Sequence, residues 1–235
     1  MSNTFVLKSI TEVDCLHIPD GYLSPEVSIL MNVVSIAFLV WCWRKAKKEY
    51  PKHFASLLAV SSAFVFVAQM INFPITYGTS GHLVGGTFLA VLLGPYAAVL
   101  SMTIVLLVQA LFFADGGISA FGANVFNMAV IGGLSFYIVK LVAGNSIKGK
   151  RFALGVFAAS WLSVVLGALA CGLEIGASPA FSQVGGIAVT VPAMLFWHTL
   201  IGLCEAAITT TFTTQLYRLQ PAILNGLVLL RRDAV

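Results

Sequence analysis

Apolar residues occur in runs long enough to cross a bilayer, and almost no charge interrupts them. Between Pro25 and Trp43 the only charged side chain is Glu26, and between Phe152 and Leu173 there is none. About 20 such residues span the hydrocarbon as one helix, so each run reads as a membrane segment. The whole chain agrees: 59% of its residues are hydrophobic, only 9% are charged and its mean hydropathy is +0.95. A soluble domain carries about 25% charged residues. The expected fold is therefore an all-α, polytopic membrane helical bundle, one compact unit with the lipid bilayer as its solvent.

Seven spans are expected, at about 25–44, 53–73, 82–94, 96–114, 121–143, 151–175 and 186–217. The third is short and glycine-rich, and the seventh is long enough to tilt or to break near Pro192. Charge tests this count independently. With an outside N-terminus and a cytoplasmic C-terminus, the loops 45–52 and 144–150, their flanks and the C-terminal tail face the cytoplasm. They hold twelve of the thirteen basic residues, leaving only Lys8 outside. That is the positive-inside pattern. A net charge of +4 distributed in this way is a topology signal and does not indicate a nucleic-acid partner. Cys15, Cys42, Cys171 and Cys204 are scattered, without a C-x-x-C pair, and suggest neither a disulfide framework nor a thiolate zinc site.

The topology places three polar stretches at or near the outer face. In Leu16-His17-Ile18-Pro19-Asp20-Gly21-Tyr22-Leu23-Ser24-Pro25, the Pro-Asp-Gly unit is turn chemistry. Ser24-Pro25-Glu26 reads as an N-cap, a proline at the first helical position and an acid in the first turn. His17 thus sits on a rigid lead into the first span, although alone it would pass for an ordinary loop histidine. The second stretch, Gly78 to Gly86, surrounds His82 with small residues. A histidine at the mouth of a span is costly unless it is partnered or functional, and hydrogen bonding to a carbonyl would also explain it. The third carries Gln109, Asp115, Asn124 and Asn127. The two asparagines lie three apart and share a helix face, open either to interhelical hydrogen bonds or to orienting an imidazole. His198 and Glu205, seven apart in the last span, also share a face. Ala55, Ala59 and Ala63 repeat every fourth residue, a small-residue stripe that lets another helix approach closely.

Together these stretches resemble the CbiM/NikM family, the substrate-binding membrane components of energy-coupling-factor importers for cobalt and nickel. The residues that carry the likeness are His17-Ile-Pro-Asp-Gly-Tyr-Leu-Ser-Pro25, Gly78-Thr-Ser-Gly-His-Leu-Val-Gly-Gly86 and Leu92-Leu-Gly-Pro95. Val108-Gln-Ala-Leu-Phe-Phe-Ala-Asp-Gly-Gly117, Phe121-Gly-Ala-Asn-Val-Phe-Asn-Met128 and His198-Thr-Leu-Ile-Gly-Leu-Cys-Glu205 complete it, in family order over roughly residues 16 to 217. Seven spans with an outside N-terminus is also the family's architecture.

The resemblance implies a site built of nitrogens. In the family the histidine follows the initiator methionine. The free amine, the next backbone nitrogen and the imidazole then chelate one metal, and a second histidine, matching His82, adds a fourth nitrogen. Four nitrogens in a plane suit Ni²⁺ and Cu²⁺ and accept Co²⁺, while offering Mg²⁺ or Ca²⁺ none of the oxygens they prefer. Ni²⁺ or Co²⁺ is then a transported substrate, and the chain is not an enzyme. Asp20, Asp115, Asn124, Asn127 and Gln109 are candidates for supporting the ligands. The Ala55/Ala59/Ala63 face is the candidate contact for a coupling transmembrane subunit. Cytoplasmic ATPase subunits and a small accessory membrane subunit are the other implied partners, because no G-x-x-x-x-G-K-[ST] loop is present. The location implied is a prokaryotic cytoplasmic membrane, and cobalt import would feed cobalamin synthesis.

This sequence departs from the family pattern at its start, where fifteen residues precede Leu16. They lack the features of a secretory signal and are expected to be disordered or not translated, leaving residues 16–235 as a single metal-binding domain. Initiation at a UUG or CUG codon for Leu16 would restore a methionine amine beside His17. Removal of the segment after Cys15 would also expose an amine, whereas a retained tail would leave an amide. The first reading is preferred. The main alternative function is a relative binding an organic vitamin without a metal site. An intramembrane hydrolase built on His198 and Glu205 lacks both H-E-x-x-H and G-x-S-x-G motifs.

Overall fold

The computed structural model describes residues 16–49, 54–71, 73–75, 79–144 and 149–219. The expected extension 1–15, and the basic residues Lys52, Lys148, Arg231 and Arg232 used in the charge count, lie outside the described residues. The main elements are α1 (Pro25–Glu49), α2 (Phe54–Gln69), α3 (Gly86–Leu93), α4 (Pro95–Phe112), α5 (Phe121–Ala143), α6 (Gly149–Gly176), a single turn α7 (Pro179–Ser182) and α8 (Ile187–Leu219). A short antiparallel hairpin, β1 (Phe73–Ile75) and β2 (Thr79–Gly81), pairs Phe73 with Gly81 and Ile75 with Thr79. The architecture is otherwise helical, with a helix in each of the seven expected places.

Five of these helices, α1, α4, α5, α6 and α8, are long and apolar enough to cross a membrane. α2 is shorter, and α3 departs most from expectation. Helix was expected over 82–94, but only eight residues are helical, and all eight are buried. Eight residues rise about 12 Å, too little to cross a hydrocarbon core of about 30 Å. Residues 82–85 ahead of α3 run non-helically. Such backbone is tolerated at membrane depth only where protein satisfies it, and here it does. The Glu205 carboxylate of α8 accepts hydrogen bonds from Val84 N (2.8 Å) and Gly85 N (2.9 Å). Gln69 Nε2 donates to the Val84 carbonyl at 2.7 Å. No side chain of the segment caps α3 itself, so Glu205 supplies the anion that a helix N-terminus favours.

α3 sits at the centre of the bundle because glycines let backbones meet. A Cβ at Gly86 would lie 2.7 Å from the Gly132 Cα, which makes Gly86–Gly132 the contact between α3 and α5. α5 is wound wide over Val125–Val130, a π segment of the kind often found beside functional groups. α1 and α8 expose most of their apolar residues, as lipid-facing helices should. α8 remains one helix through Pro192, so the anticipated break does not occur. Ser24 caps α1 as expected, with Val27 N donating to its Oγ at 3.4 Å.

Candidate metal site

The segment ahead of α1 is drawn into the bundle. Leu16 and Ile18 are each 1% exposed, and His17 is 3% exposed. Three ties hold it there. Asn124 on α5 accepts from Ile18 N (2.7 Å) and donates to Ile18 O (3.1 Å), so a single side chain satisfies both backbone groups of that residue. Gly117 N donates to the same carbonyl at 2.8 Å. The Asp20 carboxylate accepts from Ser119 N (2.7 Å), Ser119 Oγ (2.6 Å) and Ile118 N (3.1 Å). The Ser119 hydroxyl is the largest cause of an Asp20 carboxyl held below its usual range, partly opposed by burial. Gly116 has φ +90°, and a Cβ there would come within 3.0 Å of Asn124 Nδ2 and 3.6 Å of the His17 ring. Only glycine allows the loop to lie this close.

His17 and His82, 65 residues apart in sequence, meet. His17 Nδ1 lies 3.0 Å from His82 Nε2, with ring centroids 4.9 Å apart and both side chains buried. The protons on the two remaining ring nitrogens follow from fixed acceptors. The Leu83 carbonyl, 3.1 Å from His82 Nδ1, can only accept, so that nitrogen carries the proton. The Val84 carbonyl orients the Gln69 amide, whose Oε1 accepts from Gln109 Nε2 at 2.9 Å. Gln109 therefore turns Oε1 toward His17 Nε2, 3.2 Å away, and that nitrogen donates. His17 Nδ1 thus keeps its lone pair turned toward His82 Nε2, 3.0 Å away. Burial holds the His17 imidazole down to about 3, with the neighbouring His82 adding to the effect and the Gln109 hydrogen bond opposing it. The ring is thus a poor base toward protons near neutrality while its lone pair stays available. The Asp115 Oδ1, 3.5 Å from His17 Nδ1, adds negative charge at the rim.

The separation also carries geometric information. Two nitrogens each about 2.05 Å from one metal are about 2.9 Å apart at a right angle and about 3.35 Å apart at the tetrahedral angle. The 3.0 Å between the two ring nitrogens falls within the range that lets both reach one metal. Among the described residues, no three His, Cys, Asp or Glu side chains gather as a metal cage. Any further ligands at this pair must come from elsewhere, such as backbone nitrogen.

The other candidates are sorted by their partners. Gln109 and Asp115 touch His17, whereas Asn124 and Asp20 act on the segment that carries it. Asn127 bonds elsewhere, donating to Glu174 Oε2 on α6 at 2.7 Å. Although it lies three residues from Asn124, it makes an interhelical contact. Ala55, Ala59 and Ala63 are all exposed along one side of α2. The sequence reading did not single out Gln69, and it left Glu205 outside the site. An uncharged amide near the end of an apolar helix was the only signal for Gln69.

The sequence comparisons identify the family. The family described as "Cobalt uptake substrate-specific transmembrane region" (CbiM) matches residues 17–223. The chain belongs to the CbiM family. A protein of Archaeoglobus fulgidus named for fused nickel transport (NikMN) is 40% identical over 210 residues, covering 89% of this chain and 68% of that one. The fused nickel transport protein NikMN of Rhodobacter capsulatus is 37% identical over 221 residues, covering 89% and 64%. This CbiM-family chain thus spans about two thirds of those fused proteins. A crystal structure of a truncated transition-metal transporter superposes with a TM-score of 0.75 at 36% identity, covering 87% of this chain and 98% of that one. The CbiM assignment fits a multi-pass membrane protein.

Proposed function

We propose that this chain captures Ni²⁺ or Co²⁺ for import, as the substrate-binding subunit of an energy-coupling-factor transporter in a prokaryotic cytoplasmic membrane. The observation that carries the reading is the buried His17–His82 pair, whose ring nitrogens lie at a separation that lets both reach one metal. His17 Nδ1 and His82 Nε2 supply two nitrogens. The backbone nitrogen of His17 and the amine of residue 16, in a chain initiated there, supply the other two. A right-angled nitrogen set favours Ni²⁺ over tetrahedral Zn²⁺. The protein performs no chemistry on its cargo. A separate coupling subunit docks on the exposed Ala55/Ala59/Ala63 face, and cytoplasmic ATPases drive the cycle, with a small accessory membrane subunit alongside.

In this reading the chain crosses seven times, N-terminus outside. The third pass is the non-helical lead 82–85 joined to α3, and the basic loops face the cytoplasm. Equilibrium dialysis of the purified chain with Ni²⁺ and Co²⁺ tests the site. Binding is expected and should vanish in His82→Ala; undiminished binding in that variant overturns the ligand set. N-terminal sequencing of the natively expressed protein tests the amine. A mature chain beginning at residue 16 is expected, and one beginning at Met1 removes that ligand.

A further inference from the structure

The hydrogen bonds leading away from His17 form a chain. His17 Nε2 donates to Gln109 Oε1, Gln109 Nε2 donates to Gln69 Oε1, and Gln69 Nε2 donates to the Val84 carbonyl. Val84 lies two residues from His82, whose Nε2 is 3.0 Å from His17 Nδ1. Both glutamines are 0% exposed, so water cannot substitute for a missing partner. An amide is ambiguous on its own, because turning it end for end exchanges donor and acceptor. In this chain of bonds the ambiguity is removed at the Gln69 amide, whose Nε2 faces the Val84 carbonyl, which only accepts.

We infer that Gln69 is a positioning residue for the metal site: its amide sets the orientation of Gln109, which sets the tautomer of His17 and leaves Nδ1 as the ligand. Gln69 itself touches neither imidazole in the described network. Without it, Gln109 is free to turn and present its NH₂ to His17 Nε2. The ring would then place its proton on Nδ1, the atom facing His82, and the chelating lone pair would be lost. Gln69 also ends α2, the helix that carries the exposed alanine stripe. The inference rests on His17 and His82 being the ligands, but its first readout needs no metal.

The test uses the full chain in detergent micelles with ¹⁵N-labelled histidine. Long-range ¹H–¹⁵N correlation spectra distinguish an Nε2–H ring from an Nδ1–H ring. The unmodified apo protein is expected to show His17 as Nε2–H. Gln69→Leu should populate the Nδ1–H form and weaken Ni²⁺ binding by about tenfold to a hundredfold, the usual range for partners that orient a ligand. Gln69→Leu combined with Gln109→Glu should restore both, since a carboxylate accepts at either oxygen and has no wrong orientation. Gln69→Glu, which keeps an acceptor toward Gln109, should hold the Nε2–H form and serves if the leucine variant fails to fold; an Nδ1–H ring there overturns the inference. A Gln69→Leu protein that keeps Nε2–H also overturns it. So does a shifted tautomer that Gln109→Glu fails to restore, or one that leaves affinity unchanged. If His82→Ala binds Ni²⁺ normally, the ligand assignment fails while the tautomer result still stands or falls alone.

Discussion

Two buried polar clusters lie in this bundle, and they are built to different standards. At the cluster around His17 and His82, Gln69, Gln109, Asn124 and Glu205 each bond to a defined backbone group or to one another. The second is the Asn127–Glu174 contact between α5 and α6. Apart from it, His198 Nδ1 donates to the Met194 carbonyl within α8. Among the described residues, Asn127 Oδ1, Glu174 Oε1, His198 Nε2 and Ser160 Oγ have no partner. A buried polar atom left unpaired costs about 1–3 kcal/mol. The first cluster therefore holds a geometry, whereas the second joins helices at some expense.

The contrast is testable by breaking each cluster in turn. The largest effect is expected at the ligands: His82→Ala should weaken Ni²⁺ binding by more than about 100-fold, beyond what supporting residues contribute, as measured by equilibrium dialysis. Asn124→Ala should follow, because it strands both backbone groups of buried Ile18. About a tenfold loss of affinity, together with a lower melting temperature in detergent, is the expected outcome. Glu205→Gln presents one acceptor to two amides, and a destabilisation of about 1–3 kcal/mol is expected in denaturant titrations.

A pH titration of stability probes His17, with Asp20 contributing in the same direction at lower pH. The folded pKa of His17 lies at about 3, below the ordinary value of 6.5, so below pH 6.5 the unfolded chain takes up a proton that the folded chain refuses. Stability is complete above that pH and declines as pH falls toward 3, where the loss levels off. His17→Gln should flatten this slope; an unchanged slope would mean that another group sets it. The smallest effect is expected in the second cluster. Glu174→Leu combined with Asn127→Leu removes both sides of that contact, and should leave stability within about 1 kcal/mol or raise it. A large loss there would erase the distinction between the clusters.

The helices were legible because length and apolarity fix them, and five of the expected spans are helices long and apolar enough to cross a membrane. The third was only partly legible. A run of small and apolar residues from His82 to Gly94 does not reveal that its first part is non-helical. That depends on Gln69 and Glu205, which lie 15 and 121 residues from Val84. The Ser24 cap is local and could be read directly. The meeting of His17 and His82 is not local; shared sidedness permitted it, and only family likeness suggested it. Asn124 and Asn127 looked equivalent from their spacing. What separates them is that Asn124 faces the inserted segment and Asn127 faces Glu174 on α6.

Glu205 has one further consequence, which concerns the order of biosynthesis. The backbone beside His82 is satisfied by a carboxylate on the last long helix. A ribosome that has delivered His17 and His82 has therefore not yet delivered what holds the second of them in place. Until α8 enters the membrane, Val84 and Gly85 lack this acceptor. The last of the ties on the segment after His82 is thus closed only once α8 has been made.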